Sequence, residues 1–236
     1  MARLPRITVP GVAHHVTQRG NRRQKVFLQE DDYALYRDLL AQHCTANGVE
    51  VWSYCLMPNH VHLILVPSSE DGLSRAIGET HRRYSGYINA RLRVTGHLFQ
   101  GRFGAVAMDE AHLLAAFRYI AMNPVKAKLV SQAADWPWSS TPDHLVARND
   151  GLVAVQPLLE RVDDVAQFLS DDPDPILEHA LIAGQSIGRP LMEDGQLATL
   201  EKQMKRRIRP LPRGRPRKKL QDSRQVEIGI NSKVSP

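Results

Sequence analysis

Two histidines, His60 and His62, are separated by a single residue in the apolar run that ends at Pro67. This run follows a Pro-Asn turn and is rich in β-formers, so it is predicted to be a strand. Side chains two residues apart on a strand lie on the same face of the sheet. Two neutral imidazoles on one face can supply half of the ligands of a divalent metal ion. They could equally be two ordinary histidines on a solvated face.

A second candidate group lies further along the chain, where Tyr119 and Asn123 stand four residues apart in a predicted helix. Residues at this spacing share one helix face. If that face covers the two histidines, a phenol and a carboxamide oxygen would approach the same metal ion. Because Pro124 disfavours helical geometry in the preceding residue, we expect the helix to end at Asn123. Alternatively, Tyr119 is a half-buried packing residue and Asn123 caps the helix.

The elements that must position these residues follow the order β-α-β-β-α-β, with a further helix behind them. Apolar residues at strand or helix spacing define each element. This order is typical of an α+β, ferredoxin-like split-βαβ fold, in which an antiparallel sheet carries helices on one face. The strands are predicted over residues 12–19, 49–57, 60–67 and 102–108, and the helices over 31–47, 72–93 and from 109 onwards.

The composition limits the class of protein. Of the 236 residues, 42% are hydrophobic and 24% are charged, which is typical of a globular chain. The apolar runs are far too short to span a bilayer, and the first residues lack the apolar stretch of a signal peptide. Cys44 and Cys55 are too few for a disulfide framework and suit a reducing compartment. These observations predict a cytoplasmic protein that is not bound to a membrane.

The charge is distributed unevenly around a net value of +6. Residues 151–200 hold 2 basic against 9 acidic side chains, whereas residues 201–219 hold 10 basic against 1 acidic. A basic tail behind an acidic segment indicates a polyanionic partner, unless the tail only improves solubility. We predict a core domain over residues 1–130, a helical extension over 131–208 and a basic, disordered tail over 209–236.

Several segments resemble one family of DNA-processing enzymes. The segment Trp52–Leu65 resembles the HUH strand of single-tyrosine transposases. The segment Phe117–Ala127 resembles the catalytic-tyrosine helix of one branch, the REP-associated tyrosine transposases. The motifs are specific when they occur together in this order, and the resemblance covers about residues 3–150. Further segments similar to this branch are His15–Arg22, Gly96–Phe103 and Trp136–Ser140.

The resemblance implies an HUH endonuclease core that cuts and rejoins single-stranded DNA next to hairpins. By this analogy, Tyr119 is the nucleophile and forms a 5′-phosphotyrosine intermediate. His60, His62 and Asn123 would bind Mg²⁺ or Mn²⁺, which makes a phosphate more reactive toward a phenol that is mostly protonated at neutral pH. Many relatives have a glutamine where this chain has the shorter Asn123. No small-molecule cofactor is expected, and the choice between monomer and homodimer stays open.

Basic residues supply candidate contacts to single-stranded or hairpin DNA, although each could also be an ordinary surface charge. The turn from Gln18 to Lys25 is basic and contains a glycine, and the tail carries an Arg-Gly-Arg-Pro sequence similar to an AT-hook. The candidates before the tail are Arg19, Asn21, Arg22, Arg23, Arg82, Arg83 and Arg102. Those in the tail are Arg213, Arg215 and Arg217.

Other residues and other functions compete with this interpretation. Tyr84 and Tyr87 are rival nucleophiles, although packing or base stacking explains them better. His14 and His15 of the first strand could reach the site or simply pack. At the level of function, the alternatives are a hairpin-binding protein without turnover and a metal-dependent phosphodiesterase that uses water. The intact set of His60, His62, Tyr119 and Asn123 argues against a pure binder.

Overall fold

A computed structural model describes residues 6–209, apart from the side chains of residues 186 and 187. Its centre is one antiparallel sheet with the strand order β2-β3-β1-β4. This is the arrangement expected for the split-βαβ fold, because each helical connection skips one strand position. The strands are β1 (His14–Arg19), β2 (Val49–Met57), β3 (His60–Pro67) and β4 (Gly104–Ala107).

Two helices, α1 (Glu30–Ala46) and α2 (Gly72–Leu92), cover one face of the sheet, as expected. The odd-numbered residues of β3 point toward these helices and are fully buried. Three aromatic side chains fill the space between the layers, and their rings contact one another edge to face or tilted. They are Phe27, Tyr36 and Tyr84.

The opposite face of the sheet is covered by α3 (Glu110–Lys126). Asp109 begins this helix by accepting a hydrogen bond from the His112 backbone N–H at 3.0 Å, a standard N-cap. Phe117 and Ile120 of α3 are fully buried against Ile64 and other residues of the sheet. As a result, β3 is buried on both of its faces.

The expected end of α3 at Asn123 is wrong, because the helix continues through Pro124 to Lys126. The backbone carbonyl of Asn123 accepts a hydrogen bond from the Ala127 N–H at 2.9 Å, and the Pro124 carbonyl accepts one from Leu129 at 2.9 Å. A proline inside a helix removes one backbone donor and crowds the carbonyl four residues before it. Here Pro124 is buried within the helix, and the helix continues for two more residues.

A helical extension follows α3 and joins the free edge of β2. The Leu56 N–H donates to the Trp138 carbonyl at 2.8 Å, and the Ser140 N–H donates to the Tyr54 carbonyl at 3.0 Å. The extension is therefore attached by backbone hydrogen bonds as well as by apolar packing. Its helices are α4 (Thr141–Leu145), α5 (Gln156–Leu159), α6 (Val165–Ser170), α7 (Pro175–Ile187) and α8 (Asp194–Gln203).

The predicted division into a core over residues 1–130 and an extension over 131–208 stays a prediction. The predicted tail over 209–236 lies outside the described residues, except for its first residue. Within residues 6–209, no helix is both long and apolar enough to cross a membrane.

A buried carboxylate fixes the start of α1 to the end of α2. Asp32 is fully buried and accepts hydrogen bonds from the backbone N–H groups of Leu28 and Gln29 at 2.8 and 3.1 Å. It also forms a two-point ion pair with Arg91, with one contact at 2.8 Å. Burial alone would raise the pKa of Asp32, but these hydrogen bonds hold it below its usual range.

Replacing Asp32 with asparagine should lower the free energy of unfolding by about 3 kcal/mol, because Arg91 loses its partner in a largely buried site. The pKa of Asp32 is depressed in the folded state, so this contribution is present above its unfolded pKa of ~4 and is lost as pH falls through the folded value. Urea unfolding of wild type and Asp32→Asn should therefore differ at pH 7 and converge in acid. The exposed neighbour gives a control, because Asp31→Asn should cost less than ~1 kcal/mol. Equal costs for both variants would contradict the prediction.

Candidate active site

The register between β1 and β3 places both predicted histidines on the sheet face that α3 covers. His62 lies directly opposite Thr17, and His60 lies directly opposite Arg19. Residues directly opposite one another on antiparallel strands project to the same face. His15, two residues before Thr17, belongs to the same row of side chains. Three histidines and one arginine therefore share this surface.

The imidazole of His62 is fully buried and paired through one nitrogen only. Its Nδ1 lies 3.0 Å from Nε2 of His15, and the two rings are stacked with centroids 5.2 Å apart. Its Nε2 is buried without a hydrogen-bond partner among the described residues. Burial lowers the pKa of His62 well below its ordinary value, and that of His15 to about 4. Both rings are therefore neutral at pH 7.

His60 is half-buried at the beginning of β3, with its ring centroid 4.8 Å from that of His62. Its Nδ1 donates a hydrogen bond to the Asn59 side-chain oxygen at 2.5 Å. Burial, together with the positive charge of Arg19, lowers the pKa of His60 to about 4. In a neutral ring whose Nδ1 carries the proton, Nε2 keeps a free lone pair.

Tyr119 stands edge-on against this group from α3. Its ring centroid lies 5.4 Å from that of His62 and 6.1 Å from that of His15, and its side chain is half-buried. Asn123 lies one helical turn further along α3 and is also half-buried. Among residues 6–209, the Asn123 amide forms no side-chain hydrogen bond, so its oxygen is available to a ligand. The structure thus brings Tyr119 to the two histidines, and Asn123 follows on the same helix face.

The alternative candidates His14, Tyr84 and Tyr87 do not lie in this cluster of side chains. His14 points away from it, with Nδ1 2.7 Å from the Val12 carbonyl and Nε2 accepting from the Val9 N–H at 3.1 Å. Tyr84 is a fully buried residue of α2. Its hydroxyl donates to the Val26 carbonyl at 2.7 Å, and burial raises its pKa. Tyr87 is exposed on α2, across the sheet from α3. Of the two neighbouring histidines, only His15 contacts the site.

Three loops meet at the end of the sheet next to His60. The Gly20 N–H donates to the Asn59 carbonyl, the Asn21 N–H to the Leu98 carbonyl, and the Gln100 N–H to the Arg19 carbonyl, each at 2.8 Å. Four of the predicted DNA contacts lie in these loops, besides Arg19. They are Asn21, which is half-buried, and Arg22, Arg23 and Arg102, which are exposed.

The other predicted DNA contacts lie elsewhere. Arg82 and Arg83 both pair with Glu79 on the exposed surface of α2, at 2.6 and 2.8 Å, so they are not next to Tyr119. Whether they touch DNA stays a prediction. Arg213, Arg215 and Arg217 lie outside the described residues.

Two residues near the site were missed by the sequence analysis. Asn59 orients His60, and its only signal was its position in the turn before β3. Lys126 places its Nζ 5.6 Å from the Tyr119 ring centroid and pairs with Glu178 of α7. Its spacing of seven residues from Tyr119 puts both on one helix face, a signal that could have been used. Tyr119 also lines a cavity of about 400 Å³ between α3 and the α6–α7 segment.

The donors available for a metal ion are two imidazoles and an amide. Within the described residues, no group of three or more His, Cys, Asp or Glu side chains is arranged to hold a metal ion. A metal bound by His60 and His62 would therefore need a further ligand of another kind, such as the Asn123 oxygen or water.

Comparison with known proteins agrees with this fold. The family model "Transposase IS200 like" matches residues 8–123, which include β1, β3 and the Tyr119 helix. This match covers 116 of the 236 residues, slightly less than half of the chain, so the chain is similar to the IS200-like transposases over that region. Its motifs also resemble those of the REP-associated tyrosine transposases.

Two proteins of known description are similar to this chain. A putative REP-associated tyrosine transposase of Haemophilus influenzae is 26% identical over 117 residues, which cover 44% of this chain and 66% of the relative. The chain thus spans slightly less than two thirds of that protein. A solved structure of a REP-associated tyrosine transposase bound to a REP hairpin is 24% identical, with a TM-score of 0.54. The match covers 66% of this chain and 90% of the solved one, and it shows the same fold.

Gly20 holds the three loops together, because no larger residue fits there. A Cβ atom at this position would clash with the Gln24 carbonyl oxygen and lie 2.8 Å from Val26 Cγ1. Gly20→Ala should therefore destabilise the protein by about 1–3 kcal/mol, as measured by urea unfolding. Gly86→Ala is the control, since a Cβ at that helical position meets nothing within 4 Å and should stabilise by about 0.5–1 kcal/mol. A neutral or stabilising Gly20→Ala would show that the loops can rearrange freely.

Proposed function

We propose that this protein is a transposase that cleaves and rejoins single-stranded DNA next to hairpins through a 5′-phosphotyrosine intermediate. The observation that carries the proposal is the placement of the Tyr119 ring against His62, beside His60, on one face of an IS200-like core. Such an arrangement suits a phenol that attacks a polarised phosphodiester.

The residues present fit a divalent metal ion. The Nε2 of His62 is buried without a partner among residues 6–209, and the rings of His60 and His62 each have a hydrogen bond at Nδ1. This is the usual setting of metal-bound histidines. With the oxygen of Asn123, these residues would hold Mg²⁺ or Mn²⁺. When bound, the ion would polarise a non-bridging phosphate oxygen and offset the charge that develops there.

Cleavage and rejoining follow from the chemistry of Tyr119. Its hydroxyl oxygen attacks the phosphorus, an O–P bond to Tyr119 forms, and the bond from phosphorus to the 3′ oxygen breaks. The phenolic proton goes to water, and the departing 3′ oxygen takes a proton from water. The phosphotyrosine keeps a phosphoester bond, so attack by a 3′ hydroxyl reverses the reaction without ATP.

The partner is proposed to be hairpin DNA. The solved relative is bound to a REP hairpin, and this chain presents Arg22, Arg23 and Arg102 from the loops beside His60. Arginine side chains at this position can bind the phosphates of a strand that leads into the site.

Tyr119→Phe should abolish a covalent protein–DNA adduct while leaving binding intact, because only the attacking oxygen is removed. The substrates are single-stranded hairpin oligonucleotides from repeats flanking the gene, incubated with Mn²⁺ or Mg²⁺. A denaturing gel detects the adduct, and a native gel measures binding. Tyr87→Phe, which removes an exposed hydroxyl on α2, should behave as wild type.

Two results would replace the proposal with its alternatives. Cleavage without an adduct, unchanged in Tyr119→Phe, would indicate a phosphodiesterase that uses water. Tight binding with neither cleavage nor adduct in the wild type would indicate a hairpin-binding protein without turnover.

His60→Ala should weaken Mn²⁺ binding by more than ~10-fold, because one of two imidazole ligands is lost. Isothermal titration of the protein without DNA measures this directly, and EDTA should stop cleavage by the wild type. His179→Ala, at an exposed position of α7, should leave Mn²⁺ affinity unchanged. An unchanged affinity in His60→Ala would place the ion at another site.

A further inference from the structure

Arg19 occupies a position that distinguishes it from the other basic residues near the site. It is the last residue of β1 and lies directly opposite His60. The pair formed by Thr17 and His62 lies two residues away along the same strands. Its side chain therefore starts on the face that carries the two imidazoles and Tyr119. Arg22 and Arg23, by contrast, are exposed beyond the end of the strand.

The guanidinium of Arg19 has no carboxylate partner in the part of the chain that the structure describes. Among residues 6–209 it forms no ion pair, whereas Arg91 pairs with Asp32 and Arg148 with Asp143. A half-buried cation among neutral rings favours an anionic ligand, because no carboxylate in the described part of the chain satisfies it.

The backbone holds Arg19 in a fixed place. Its carbonyl accepts the Gln100 N–H at 2.8 Å, and the next residue, Gly20, donates to the Asn59 carbonyl at 2.8 Å. Asn59 is also the residue whose side chain orients His60. The backbone of the arginine and the imidazole are thus anchored to the same turn, which fixes where the Arg19 side chain begins relative to His60.

We infer that Arg19 is a catalytic residue that binds a non-bridging oxygen of the phosphate attacked by Tyr119. This inference rests on the proposed function and adds a specific role to one arginine. As the Tyr119–phosphorus bond forms and the bond to the 3′ oxygen breaks, Arg19 stabilises the negative charge on the equatorial oxygens. Arg22 and Arg23 bind other phosphates of the hairpin and serve affinity.

Single-turnover cleavage under saturating enzyme tests the rate effect. Arg19→Gln should form the Tyr119 adduct about 10²–10³-fold more slowly at saturation. Arg19→Lys keeps the charge without the planar fork and should recover part of the rate. Arg148→Gln, an exposed arginine of the extension, should match the wild type. Thermal unfolding of each variant checks that the fold is kept.

A binding experiment tests the contact itself without any turnover. In a Tyr119→Phe background with EDTA, affinity is measured for two hairpins, one of which carries an uncharged methylphosphonate at the mapped cleavage position. Arg19→Gln should weaken binding of the normal hairpin by about 10-fold and leave binding of the methylphosphonate hairpin unchanged. Arg22→Gln should weaken binding of both hairpins equally.

The outcomes separate this inference from the proposed function. A normal saturated rate in Arg19→Gln, or an equal affinity loss on both hairpins, would overturn the role of Arg19 while the adduct still supports the transposase. A wild-type protein that forms no adduct would overturn both. Slow adduct formation together with a loss specific to the charged phosphate would establish the contact.

Discussion

The antiparallel pairing of β1 with β3 is the constraint on which the rest of the site depends. Because alternate residues of a strand face opposite sides, a slip of one residue would exchange the entire row of side chains. His62 would then no longer meet His15, and His14 would take its place. The same register brings Arg19 beside His60. One alignment of two short strands thus decides which polar groups are next to Tyr119.

Burial of the sheet on both faces makes this register specific. The odd-numbered residues of β3 pack against α1 and α2, and Ile64 packs against Phe117 and Ile120 of α3. A shifted strand would place histidines in the apolar layer under α2, at a high desolvation cost. The polar site is therefore held in place by the apolar residues around it. The neutral rings of His15 and His62 carry no charge, so they need no ion pair.

Much of the fold could be predicted because local signals were strong. The turns at Asn47-Gly48 and Pro58-Asn59 stand directly beside β-forming runs, and β2 and β3 have the predicted bounds. The spacing of the two histidines on β3, and of Tyr119 and Asn123 on α3, also predicted which side chains share a face of each element. These signals lie within a few residues of one another, where spacing translates directly into geometry.

What could not be predicted depended on contacts between distant segments. Local preference predicted that α3 ends at Asn123, whereas the helix continues through the buried Pro124 to Lys126. The choice between His14 and His15 required the register with β3, which no local pattern encodes. Arg82 and Arg83 looked equivalent to the other arginines, yet α2 carries them across the sheet from Tyr119. The roles of these side chains are set by tertiary placement.

The position of β3 also has a consequence for motion. It has a hydrogen-bonded neighbour on each side and a helical layer on each face, so its amide protons should exchange with solvent only when the whole sheet opens. Helix α3 is held differently, by side-chain packing along its length and by an ion pair at Lys126. The two imidazoles therefore stand on one of the stiffest elements of the molecule. A change in the distance between them and the Tyr119 oxygen should therefore come from displacement of α3 or rotation of the Tyr119 side chain, rather than from motion of β3.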